Sequence, residues 1–190
     1  MSGLTFRKRK RRINYQIVKE AFIWIAELLL VFVLACILVI NFGVMTSNVG
    51  QSMEPTLASG ERVLTNRLIY KMTEPKRGDL VVFKPNGNEN SHFYIKRVVG
   101  LPGERIQIID GFIYINGEVL IEKIKFEKME NAGIAEEEIK LGKDEYFVLG
   151  DNRNASEDSR NAEIGPIRMK DIESKAWFNA TFGDNFGFIK

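Results

Sequence analysis

Residues 105–121 read RIQIIDGFIYINGEVLI. Apolar side chains alternate around two dipeptides, Asp110-Gly111 and Asn116-Gly117. Such pairs supply the positive φ angles that tight antiparallel hairpins need. The same grammar extends outward. "DLVVF" (79–83) and "FYIKRVVG" (93–100) are β-branched and aromatic runs bounded by turn formers, and "EYFVLG" (145–150) and "KAWFNATF" (175–182) read as further strands. Short strands punctuated by Gly, Asn and Asp predict a mainly β, antiparallel domain. Only 127–140, "EKMENAGIAEEEIK", breaks the pattern and reads as a short helix or a charged loop.

The N-terminal part is different in kind. Leu28–Met45 is an 18-residue run without a charge. As a helix it covers about 27 Å, close to the thickness of a bilayer's hydrocarbon core. A buried core helix fits poorly, because the run is apolar all round. A cleaved signal peptide also fits poorly, because the run is long and ends in no small-x-small site. A retained membrane anchor fits best. Glu27 and Trp24 then fall at the interface. The basic cluster RKRKRR at 7–12 reads as a positive-inside signal rather than a nucleic-acid patch. The expected organisation is a cytoplasmic tail over 1–27, a transmembrane helix over 28–45 and an extracytoplasmic β domain over 46–190.

Charge supports this division. The 190-residue chain carries a net +2, yet the first 45 residues hold seven bases and two acids, which leaves the rest at −3. The main domain therefore gives no electrostatic reason to bind nucleic acid. One histidine and one cysteine rule out an intramolecular disulfide and leave no ligand set for zinc, so neither metal nor cofactor is expected.

The chemistry centres on "GQSMEPTL" at 50–57. Ser52 needs a base to act as a nucleophile. His92, in "ENSHFY", is the sole histidine and reads first as a surface residue at a strand start, although spacing does not exclude a triad through it. Lys96 is the other candidate. Period-two alternation puts it on one face with Tyr94 and Val98, and Ile95, Arg97 and Val99 on the other. An amine buried among apolar groups, with no acid against it, loses basicity and can take a proton near neutral pH. A strand lysine that snorkels to solvent has the same spacing. The turn-rich "GDNRNASEDSR" (150–160) reads either as a solvated loop or as a support in which Ser156 orients the base while Asp158 and Arg160 brace each other. Six residues separate Met45 from Ser52. The connection spans at most about 25 Å, so Ser52 works near the anchor's end.

Taken in order, "GQSMEPTL", "RGDLVVF" (77–83), "YIKRVVGLPGE" (94–104) and "GDNRNASEDSR", preceded by a basic tail and an apolar anchor, resemble the boxes of the type I signal peptidases, in the single-span form of Gram-positive bacteria. The resemblance implies an antiparallel β catalytic domain behind one transmembrane helix. It also implies a membrane-bound serine endopeptidase that removes signal peptides from exported preproteins after small-x-small motifs. Ser52 matches the nucleophile and Lys96 the general base. Ser156 matches the hydroxyl that bonds the lysine, Asp158 and Arg160 the supporting pair, and Asp151 lies in the same box. Met53, Tyr94 and Ile95 match residues near the pockets for the substrate's −1 and −3 side chains. The oxyanion is expected at the Ser52 backbone. Gly50 stands where some members carry a serine whose hydroxyl helps there. The implied partners are signal peptides and membrane lipid. Alternatives are a processing peptidase with specialised substrates, such as pilus-related ones, and a non-catalytic anchored β domain that binds exported proteins. Self-cleaving SOS-type repressors use a similar dyad but bind DNA and have no span.

Overall fold

The computed structural model describes residues 15–42, 44–87, 92–122, 124, 126–183 and 185–189. The basic cluster at 7–12 lies outside the described residues. The chain forms two compact units, divided between Val39 and Ile40.

The first unit is built on a single helix, α1 (Tyr15–Phe42). Its segment Tyr15–Ile40 is long and apolar enough to cross a membrane. The helix starts well before the apolar run at 28–45 and includes Lys19, Glu20 and Glu27. At its other end Val44 and Met45 are strand residues.

The second unit is antiparallel β. Its strands are β1 (Val44–Ser47), β2 (Arg62–Asn66), β3 (Leu80–Phe83), β4 (Tyr94–Gly100), β5 (Arg105–Ile109), β6 (Phe112–Ile115), β7 (Glu118–Val119), β8 (Ile139–Lys140), β9 (Glu145–Leu149), β10 (Ile167–Arg168), β11 (Ile172–Asn179) and β12 (Gly187–Phe188). One sheet runs β1-β2-β11-β3-β4-β9-β10, with β12 added to β11. The other, smaller sheet runs β7-β6-β5-β8.

Both hairpins of 105–121 form, with Ile109 opposite Phe112 and Ile115 opposite Glu118. Asp110 and Asn116 take φ of 51° and 52°, followed by Gly111 and Gly117 at 75° and 85°. Two consecutive positive φ values define the turn whose twist matches its strands. The segment 127–140 is neither a regular helix nor a plain loop. It makes a short 3-10 turn at Gly133–Glu136 and then β8, which pairs with β5.

The strands that carry the site are buried on both faces. β3 sends Val81 and Phe83 into a core with Val98, Tyr146 and Val148. Its alternate residues Leu80 and Val82 enter a second core with Met53, Leu57, Val63 and Ile95. A third core, around Val99, Ile106, Ile113, Leu141 and Phe147, joins the small sheet to β4 and β9. A strand buried on both faces reads as a nearly continuous apolar run, as "DLVVF" does. β11 is paired on both sides, with β2 and β3. Beyond it, Phe182, 90% exposed, stacks on Phe186 at a centroid distance of 5.1 Å.

Candidate active site

Ser52 sits on the loop between β1 and β2. Gly50 turns this loop at a φ of 79°. A Cβ there would meet no neighbour, so only the left-handed backbone asks for glycine. The buried Asn48 staples the loop from inside, its Nδ2 donating to Leu57 O at 3.0 Å and Ala58 O at 3.1 Å. Asn48 has no place in the sequence reading, although a buried amide among turn residues is a common fastener.

Lys96 lies on β4, opposite Val81 of β3, and shares that face with Tyr94 and Val98. It is 3% exposed. Its Nζ donates to Ser52 Oγ at 2.6 Å, which joins two residues 44 positions apart. Among the described residues it makes no ion pair with a carboxylate. Burial pushes its pKa from 10.5 down to about 8. The charges of Asp158, Glu157 and Asp151 oppose this fall, and that of Arg160 adds to it. An amine in this state exchanges protons near neutral pH, as a general base must.

These residues open into a cleft of about 180 Å³, lined among others by Gly50, Ser52, Tyr94, Ile95, Lys96 and Glu157. That is below the roughly 300–1,000 Å³ of pockets for drug-sized ligands. Tyr94 and Ile95 thus both border the cleft. Met53 does not. It is wholly buried beside Ile95 in the core. Its side chain turns inward where Ser52 turns outward. His92 lines the cleft and stacks on Tyr94 at 4.9 Å. Among the described residues it makes no hydrogen bond with Ser52.

The loop 150–160 closes the site from behind. Asn152 N donates to Ser52 O at 3.1 Å. Gly150 packs so tightly that a Cβ would lie 2.5 Å from Ser52 O and 2.2 Å from Ser156 Oγ, so no side chain fits there. Asp158 is fully buried and receives Arg160 Nε and Nη2 at 2.8 and 2.9 Å and Gly150 N at 3.1 Å. Asp151 pairs with Arg97, whose Nε and Nη2 donate to its two carboxylate oxygens at 2.7 and 2.6 Å. The sequence reading gives Arg97 a face of the strand but no role. Its signal is a charge on the core-facing side of a doubly buried strand, which must find a partner. Ser156 departs from expectation. Among the described residues its Oγ is buried without a hydrogen-bond partner, packed on Gly150, while the Lys96 amine donates to Ser52. Among the described residues no group of three or more His, Cys, Asp or Glu is disposed to hold a metal ion.

Comparison with known proteins places the chain in a family. Residues 21–180 match the family model described as signal peptidase, peptidase S26. The chain belongs to this family. It is 34% identical over 190 residues to signal peptidase IB of Staphylococcus aureus, covering 88% of this chain and 95% of the relative. It is 36% identical over 168 residues to signal peptidase I of Bacillus amyloliquefaciens, covering 84% and 88%. It is 39% identical over 130 residues to signal peptidase I P of Bacillus subtilis subsp. natto, covering 65% and 69%. A crystal structure of a signal peptidase I from Enterococcus faecalis aligns at a TM-score of 0.41 with 29% identity, over 55% of this chain and 97% of that one. Membership rests on the sequence matches. This family member is an enzyme of the signal peptidase I kind, and its activity is the removal of signal peptides. The family and the apolar N-terminal helix together suggest a membrane-anchored enzyme.

Proposed function

We propose that the chain removes signal peptides as a Ser-Lys serine endopeptidase at the outer membrane face, cutting exported preproteins after small-x-small segments. The observation that carries this reading is the 2.6 Å contact between Ser52 Oγ and the buried, acid-free amine of Lys96. In the neutral state the proton of that contact lies on the hydroxyl. Lys96 takes it as Ser52 Oγ attacks the scissile carbonyl, and the carbonyl π pair moves to oxygen. The Ser52 N–H donates no hydrogen bond among the described residues and supports an oxyanion role. As the tetrahedral intermediate collapses, the C–N bond breaks and the Lys96 ammonium protonates the leaving amine. Lys96 then activates water to release the acyl-enzyme, the role sequence of acyl-transfer hydrolases.

Gly50 offers no hydroxyl, so oxyanion binding rests on backbone donors. The small cleft, bordered by Tyr94 and Ile95, favours small apolar −1 and −3 side chains, since a larger one clashes and a charged one loses hydration. The orphaned Ser156 hydroxyl is a candidate partner for the amine once substrate displaces the Ser52 contact, because a buried hydroxyl without a partner is costly. The α1 helix serves as the anchor, with the tail cytoplasmic and the β unit outside.

Cleavage of a preprotein by the full chain in detergent tests the proposal. Ser52→Ala and Lys96→Ala each lose activity by roughly four orders of magnitude or more, and His92→Ala keeps it. Wild-type cleavage by either of the first two variants overturns the dyad.

A further inference from the structure

Gly150 is the residue packed directly on the Ser52 carbonyl, and both of its peptide groups are held by ionic systems. Its N–H donates to Asp158, which Arg160 grips. Its carbonyl accepts Arg153 Nε at 3.0 Å. Arg153 is 2% exposed and has its own acid. Nη1 and Nη2 donate to the two oxygens of Glu122 at 2.9 and 2.6 Å. Glu122 comes from the segment that follows β7, far from the four sequence boxes. The same segment lays the Phe126 ring 4.1 Å from the Arg153 guanidinium and 5.8 Å from that of Arg97.

The attachment continues along the chain. Glu130 N donates to Asn154 Oδ1 at 3.0 Å, and Asn154 Nδ2 to Lys128 O at 3.1 Å. Arg160 Nη1 donates to Asn131 O at 3.0 Å, and Ile134 N to Arg160 O at 2.9 Å. The stretch between the small sheet's β7 and β8 is therefore bolted to the loop that backs Ser52.

We infer that Glu122 and Phe126 are positioning residues for the reaction: through Arg153 they fix the Gly150 peptide, and with it the Ser52 loop, against the base on β4. The inference rests on the reading of Ser52 as nucleophile. The physical argument is one of tolerance. Arg153 has a planar fork that is satisfied only when both of its ends are held, one by Gly150 O and the other by Glu122. Without Glu122 the buried guanidinium keeps only neutral partners and moves toward water, releasing the Gly150 carbonyl. A shift of about 1 Å at a reacting group can cost on the order of 100-fold in rate. Neither Glu122 nor Arg153 lines the cleft, so substrate binding is spared.

The test uses the full-length enzyme in detergent, with preprotein cleavage measured at a temperature where each variant is folded. Glu122→Ala is expected to lower kcat on the order of 10- to 100-fold, with KM changed less than about twofold and the midpoint of the pH profile unmoved, since Glu122 is not among the charges that act on Lys96. Glu122→Gln keeps one hydrogen bond to Arg153 and falls between wild type and alanine. Phe126→Leu gives a smaller loss of the same kind. Amide hydrogen exchange at Asn152, whose N–H holds Ser52 O, accelerates in the order of kcat loss. If Glu122→Ala does not fold, Glu122→Gln and Arg153→Lys decide by the same measures. A lowered Tm with wild-type kcat and unchanged Asn152 exchange overturns the inference and leaves the segment a stabilising strap. Ser52→Ala in the same assay separates the two claims. Its inactivity beside a fully active Glu122 variant refutes only the positioning role, whereas its full activity refutes the nucleophile reading on which that role depends.

Discussion

The two faces of β4 treat a positive charge in opposite ways. Lys96 and Arg97 are neighbours in sequence and almost equally buried. Lys96 faces Val81 and meets a hydroxyl, so desolvation outweighs the opposing charges of Asp158, Glu157 and Asp151 and its basicity drops. Arg97 faces the other way and meets Asp151 through two parallel hydrogen bonds. Its guanidinium is built for that fork and does not deprotonate in proteins. One face keeps a cation it can discharge, and the other keeps one permanently charged. Burial lowers basicity here where no ion pair with a carboxylate accompanies it.

The largest effect comes from giving the Lys96 face a cation that cannot discharge. Lys96→Arg is expected to abolish preprotein cleavage as completely as Lys96→Ala, by roughly four orders of magnitude or more. Measurable cleavage by Lys96→Arg above the level of the alanine variant would break the contrast between the faces. Arg97→Ala attacks the opposite face. It leaves the Asp151 carboxylate buried without its partner and is expected to cost about 3–5 kcal/mol of folding stability, read from denaturant midpoints.

The next effect is smaller and has a sign that only an unpaired buried amine produces. The folded-state pKa of Lys96 is about 8 against 10.5 for the free side chain. Between these values the unfolded chain binds more protons than the folded one, so stability rises with pH across that window. Below pH 8 the amine is a full destabilising burden, and above 10.5 it is none. Lys96→Met should therefore stabilise the fold by up to about 3 kcal/mol at pH 7, with the gain fading toward pH 10.5. Unfolding curves at pH 7, 8.5 and 10 check it, and a gain independent of pH would mean that Lys96 is charged or solvated in the fold. The same pKa puts the ascending limb of kcat/KM near pH 8. The smallest effect is that of Glu157, an exposed cleft residue whose charge helps keep Lys96 protonated. Glu157→Gln should move that limb slightly to lower pH, less so at high salt, because an exposed charge is screened.

The two ion pairs around Gly150 show where the sequence becomes hard to read. Asp158 and Arg160 are two residues apart in one turn, and their pairing could be named from the string "EDSR". Glu122 and Arg153 are 31 residues apart, and Arg97 and Asp151 are 54 apart. Nothing local marks those partners, because the contact exists only after β4, β9 and the small sheet are stacked. Met53 shows the same dependence on packing: the residue after Ser52 in the chain joins the core with Leu57, Val63 and Ile95, which no local pattern announces.

Local chemistry was sufficient for the antiparallel fold, because Asp-Gly and Asn-Gly between alternating apolar residues have few other low-energy conformations. It was sufficient also for the apolar helix and for singling out Ser52 and Lys96 as residues worth pairing. It could not say which charges would be compensated. Whether an amine is a base or a salt-bridge partner depends on what stands within a few ångströms of it, and here those neighbours arrive from other strands. Folding gave Arg97 its acid, left Lys96 without an ion pair and Ser156 Oγ without a hydrogen bond among the described residues, and brought Glu122 behind the Ser52 loop.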